Sequence, residues 1–171
     1  MKNTFALALA ASCFTLSACA TVPTDMAAMG DLTPEQAQPY TQMAAASDLF
    51  EIESSRLALS RSQNADIRQF AQMMVDHHSQ TTQQLMAAAG ATGITVAPAL
   101  MPAQSQMLQQ LQQAGGSGFD SLYRTQQVQA HEMALALHGN YAGSGDAPAL
   151  RQVATAAVPI VTQHLARIRS M

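Results

Sequence analysis

The chain has no tryptophan, a single lysine, only two cysteines and few aromatics, and just 11% of its residues are charged. Each shortage removes a class of function. Lys2 stands near the N-terminus, and without it seven arginines face eleven acids, a net charge near −4. With no basic stripe and no aromatics interleaved among cations, nucleic-acid binding has no footing. Aromatics at 5% and short β-branched runs leave no strand-like alternation, which argues against a sheet. Ser54 and Ser79 are helix serines without a strained nucleophile turn, and no glycine-rich phosphate loop opens a helix. No Glu-x-x-His step occurs anywhere, so a carboxylate-bridged di-iron or di-manganese centre lacks its ligands. Alanine and glutamine fill the chain instead. At 171 residues and 48% hydrophobic content, these helix formers point to one domain of α structure with close helix contacts.

Residues 1–18 read as an export signal. Lys2 supplies the positive end, Phe5 to Leu16 an apolar run too short to span a bilayer permanently, and Leu16-Ser17-Ala18-Cys19 follows. That tetrapeptide resembles the lipobox of bacterial lipoproteins, whose cysteine is thioether-linked to diacylglycerol, becomes the first residue on cleavage and is acylated on its amine. Cys19 is then the lipid attachment site and the membrane a partner; several acyl chains anchor stably where one is marginal. Ala20 in place of aspartate after the cysteine resembles signals that sort to the outer membrane, with the protein facing the periplasm. The alternative is an ordinary secretory signal, since Ala18-Cys19-Ala20 also fits an A-x-A cleavage site, and a soluble periplasmic protein. Cys13 lies in the leader, so no disulfide forms within the mature chain. Residues 19–39 read as anchor and flexible tether, and 40–171 as the folded domain.

Four amphipathic segments are expected in that domain. Thr33-Pro34-Glu35-Gln36 has the chemistry of a helix start, but Pro39 favours a regular beginning near Tyr40. From there Met43, Ala46, Ser47, Phe50, Ser54 and Leu57 form one face. Asn64-Ala65-Asp66 caps a second helix that runs to Ala89 and stops at Gly90. Thr92 to Pro102 reads as a crossover, and Gln104 to Ala114 as a separate short helix ended by Gly115-Gly116-Ser117-Gly118. A third long helix spans about Phe119 to Ala142. Asp146 is expected to cap a fourth, which carries Leu150, Val153, Ala157, Ile160, Val161, His164 and Ile168 on one face and Pro159 inside it. Such segments bury their stripes as an up-down four-helix bundle, with the extra short helix in the crossover between the second and third.

Three of these stripes carry imidazole. On the second helix, Ile67, Ala71, His78, Thr81 and Leu85 lie within about 60° of Met74 at roughly 100° per residue, so His78 points at the core. His77 borders that face and reads as a surface or seam residue. His131 sits in the face of the third helix and His164 in that of the fourth, while the first helix offers Glu51 or Glu53. His138 reads as core-edge. One polar ligand per helix is how bundle cores hold metals, and neutral imidazole with carboxylate suits one zinc, iron or copper ion better than magnesium or calcium. The metal set is then Glu51, His78, His131 and His164, with Glu53 and His77 as further candidates. A depth count places His131 about 14 and His164 about 19 residues from the turn near residue 145, a mismatch of roughly 7 Å at ~1.5 Å per residue. The alternative is a satisfied hydrogen-bond network without metal, with Tyr123 and Tyr141 as partners, in an envelope interaction or stress-related protein. The eleven methionines, Met73 and Met74 included, read as core filler before copper(I) ligands.

The segments Phe50-Glu51-Ile52-Glu53 with Leu57-Ala58, Phe70 to Val75 with His78 and Leu85, Phe119-Asp120 with Tyr123, Gln127-Val128 and His131, and Pro159 with His164-Leu165 resemble the bacterial domain of unknown function family 4142 over residues 40–169. The three histidines fall in register with that family's. His77 is a departure, since relatives usually carry aspartate before the histidine. The resemblance implies a ferritin-like four-helix bundle, exported and often described as an outer-membrane protein, without an established activity. The sequence names no substrate or protein partner, and nothing in it requires an enzyme.

Overall fold

The computed structural model describes residues 34–171; the expected leader, the expected lipid site Cys19 and the expected tether as far as residue 33 lie outside the described residues. Five helices and no strand occur among them: α1 (Ala37–Arg61), α2 (Ala65–Ala91), α3 (Pro102–Gln113), α4 (Ser117–Ser144) and α5 (Pro148–Arg169). The four long helices close a ring in which α1 packs on α2, α2 on α5, α5 on α4 and α4 on α1, while the short α3 lies against α1 and α4. None of the described helices is long and apolar enough to cross a membrane.

The ends of the helices follow from capping chemistry, with several departures from expectation. The first helix begins at Ala37, not near Tyr40. Pro39 falls in the first turn, where its missing N–H would have had no intrahelical acceptor, so it does not delay the start. The second helix runs past Gly90 to Ala91 and closes through Gly93 at φ 77°. There the Gly93 N–H donates to the Gly90 carbonyl at 3.0 Å and the Ile94 N–H to the Ala89 carbonyl at 3.0 Å, the paired bonds of a Schellman end. The helix after the glycine break opens at Ser117, behind Gly116 at φ 54°. Asp146 does not cap α5. Ala147 holds that place, with Pro148 at the first helical position, while the Asp146 carboxylate accepts from the Tyr141 hydroxyl at 3.0 Å and its N–H donates to the Glu35 carbonyl at 2.9 Å. Residues expected to be tether are thus docked on the α4–α5 turn.

The expected start of the second helix stands, whereas the short helix opens at Pro102, inside the expected crossover, and closes at Gln113. Asn64 Oδ1 accepts from the N–H groups of Asp66 at 2.9 Å and Ile67 at 3.3 Å, starting α2 after a three-residue connection. The Arg61 guanidinium donates to the carbonyls of Leu111, Gln112 and Ala114, which satisfies the C-terminus of α3 and ties it to α1.

The apolar core is divided along the bundle. Tyr40, Ala44, Leu85, Ala89, Leu137, Tyr141, Leu150 and Ala154 form one cluster, and Ala58, Ile67, Phe70, Met74, Leu111, Phe119, Tyr123 and Ile168 form another. In chain order on each long helix, a set of buried polar residues falls between the two: Asp48 and Glu51 on α1, His78 on α2, His131 on α4 and His164 on α5. Burying so many titratable groups in one layer costs stability unless they answer one another or a ligand.

Candidate metal centre

Each long helix delivers its group by the periodicity that built its apolar face. His78, His131 and His164 are 4%, 1% and 2% exposed, and Glu51 is 1% exposed. The three rings stand with centroids 5.4–5.9 Å apart, and one nitrogen from each lies within 4.8 Å of the others. The depth mismatch expected for His164 is smaller than the count from residue 145. Measured from the facing helix ends, Ser144 and Pro148, the two histidines differ by three residues, about 4.5 Å at 1.5 Å per residue. Side chains as long as histidine cover that offset.

Each imidazole has one nitrogen held and one left over. His78 Nδ1 donates to Asp48 Oδ1 at 2.7 Å, and the other oxygen of Asp48 accepts from the Thr81 and Thr82 hydroxyls at 3.0 Å each. His131 Nδ1 donates to the Gln127 carbonyl one turn earlier at 2.7 Å. His164 Nε2 meets His77 Nδ1 at 2.8 Å. The opposite atoms, His78 Nε2, His131 Nε2 and His164 Nδ1, are buried without a hydrogen-bond partner. A histidine that ligates a metal typically gives its second N–H to a carboxylate, a backbone carbonyl or water, which fixes the tautomer and frees the other nitrogen. His78 and His131 follow that pattern by carboxylate and carbonyl, with His77 in the corresponding place for His164.

Glu51 stands beside this trio. Its Oε1 is 3.6 Å from His131 Nδ1, too far for a hydrogen bond, and both oxygens are buried without a partner. It is outside the set of three mutually close ligand atoms. Glu53 is turned to the surface, where it accepts from Arg56 at 2.6 Å. His77 is exposed and serves as the outer neighbour of His164. His138 is buried, and its Nδ1 pairs with the Tyr40 hydroxyl at 3.0 Å. The tyrosine partner of a histidine is therefore Tyr40; Tyr123 bonds Ser55 and Tyr141 bonds Asp146 instead. Tyr40 and Asp48 are the residues that sequence reasoning missed.

The electrostatics separate the rings. Burial presses the His78 imidazole down, but the Asp48 hydrogen bond and the charges of Asp48 and Glu51 outweigh it and raise its pKa. Burial dominates at His131, which is lowered despite Glu51. Burial and then the neighbouring imidazoles take His164 down to about 3. His138 is lowered by burial to about 4. Two of the three converging rings are thus held neutral, the state that ligates, and the third feels the charges of Asp48 and Glu51, which are able to balance a cation.

Three imidazole nitrogens around a tetrahedral ion at about 2.0–2.1 Å stand roughly 3.3 Å apart. The present spacing, up to 4.8 Å, is looser, and the side chains must close by about 1 Å or more to reach that geometry. The donor set, three imidazole nitrogens with a carboxylate nearby, fits a borderline transition metal.

No curated protein and no solved structure matches the chain. The family model for a domain of unknown function, DUF4142, matches residues 21–171, and the chain belongs to that family.

Proposed function

We propose that this protein is a metal-binding bundle of the cell envelope, holding one zinc, iron or copper ion through His78 Nε2, His131 Nε2 and His164 Nδ1. Glu51 supplies negative charge and stands as the fourth donor. The observation that carries this is the set of buried, unpartnered atoms: one nitrogen on each of three rings and both oxygens of one carboxylate. A hydrogen-bond network sufficient in itself would leave few such atoms, because unpaired buried polar groups are costly. The four long helices are read as an up-down bundle of the ferritin-like kind, anchored by lipid on Cys19 in the outer membrane and facing the periplasm.

Elemental analysis of the purified protein, with calorimetric titration of zinc, copper and iron into wild type and His131→Ala, tests the ligand cage. One equivalent bound by wild type and a lost or much weakened site in the variant are expected. No metal and no binding heat with any of the three ions would refute it, leaving the rings as a structural network. Membrane fractionation of wild type and Cys19→Ala, with mass measurement of the mature N-terminus, tests the anchor. An unacylated wild-type N-terminus would refute it.

A further inference from the structure

A solvent-open groove of about 450 Å³ runs along the seam between α2 and α5, with Met73, His77, Gln163, His164 and Arg167 in its walls. A second hollow lies between the helices against Asp48, His78 and His138; its free volume of about 20 Å³ suffices for one water-sized molecule. His77 and His164 are the residues that line both. Their rings lie 5.1 Å apart at 27°, with Nδ1 and Nε2 in contact at 2.8 Å, so this pair borders both the groove and the hollow. His77 is exposed, whereas His164 is buried with its other nitrogen unpartnered.

We propose that the α2–α5 groove is the entrance by which a divalent transition-metal ion reaches the buried trio, and that His77 is the ligand that captures it first. The inference rests on the trio's being a metal site. An ion cannot shed its water in one step and cross packed apolar helices; it needs a replacement donor at each stage. His77 provides one at the surface, and His164, in hydrogen-bond contact with it, is the next donor inward and already belongs to the trio. Met73 lies one helical turn before His77 on α2, in the same groove, and adds a thioether. A thioether and an imidazole at that spacing suit soft and borderline cations and are poor ligands for magnesium or calcium. Arg167, the one cation of the groove among the described residues, faces Asp66 at 3.6 Å, which offsets its repulsion of an incoming ion.

Cobalt(II) chloride is a suitable probe, because its visible bands report occupancy of the trio while stopped-flow mixing gives the loading rate. His77→Gln keeps an acceptor for the His164 Nε2–H but removes the imidazole. Gln163→Trp narrows the groove from an exposed position that does not belong to the trio. Both variants are expected to slow loading and chelator-driven release, loading by roughly tenfold or more, as for binding that must wait on a rearrangement. Affinity and final spectrum should stay close to wild type in Gln163→Trp; in His77→Gln, where the outer partner of His164 is exchanged, loading should slow by more than release. Wild-type rates in both variants, with normal cobalt bands, would overturn the entrance alone. A wild-type loading rate in His77→Gln, with an altered spectrum or faster release, would also overturn it, making His77 only an outer partner of His164. If wild-type protein shows no cobalt spectrum at all, the trio is not a metal site and the entrance falls with it.

Discussion

Replacing Glu51 by methionine should make the metal-free protein more stable and the metal-binding protein worse. The carboxylate is 1% exposed, and neither oxygen has a hydrogen-bond donor. A buried polar group left unsatisfied costs about 1–3 kcal/mol, more when charged. Part of that cost is returned by attraction to the His78 imidazole, but Asp48 already supplies a closer anion there, at 2.7 Å. Methionine has similar volume, a flexible apolar chain and high helix propensity, so it fills the space without a new polar atom. A net gain of about 1–3 kcal/mol is expected, in line with other exchanges of buried ionic groups for apolar ones. In a domain of this size that is a rise in Tm of about 3–9 °C. The assay is thermal and urea unfolding of chelator-treated wild type and Glu51→Met, repeated after adding one equivalent of zinc. The variant should lead without metal and lose its lead with zinc, because wild type gains binding energy that the variant forgoes. A metal-free variant less stable than wild type would refute the reasoning, since it would show the carboxylate already satisfied in the fold.

Asp48→Asn should weaken metal binding by about 10–100-fold while leaving the helix content unchanged, because the residue orients His78 without touching the ion; equal affinities in calorimetry would contradict this. His138, with a folded pKa near 4 against 6.5 unfolded, binds fewer protons in the folded state between those values. Its contribution is therefore complete above pH 6.5 and is lost as pH falls toward 4, about 3 kcal/mol over roughly 2.5 units. Urea midpoints measured across pH 4–7 should fall less steeply in His138→Gln than in wild type. Gly145→Ala should destabilise the fold by about 1–3 kcal/mol, since the new Cβ would lie 2.5 Å from the Tyr141 ring, itself stacked 3.7 Å from Tyr40; an unchanged midpoint would show that the ring yields.

Much of the fold is written in the stripes. His78, His131 and His164 could be placed inward because each sits at helical spacing among apolar residues on its own element, and the packed structure brings all three rings together. Distances along a helix carried less information about how neighbouring helices are staggered. The count from residue 145 exaggerated the offset of His164, because the connection consumes residues that add no rise to either helix. Tyr40 was hidden by Pro39, which drew the helix start onto the tyrosine itself and obscured its role as a buried partner of His138. Asp48 carried a signal that went unused: an acid one turn before Glu51, behind a run of alanines that has no room for an unpaired charge. His77 is legible as a surface or seam residue, but its contact with His164 is not, since that depends on the crossing of α2 and α5.

X-ray absorption spectroscopy of the zinc-loaded protein tests the ligand cage most directly. Three imidazole nitrogens at about 2.0–2.1 Å, with the outer-ring scattering of histidine and a light oxygen donor, are expected for one ion per chain. The histidine scattering should fall by about a third in His131→Ala, if that variant retains zinc at all. A spectrum without imidazole scattering, or one unchanged in His131→Ala, would contradict a metal held by His78, His131 and His164.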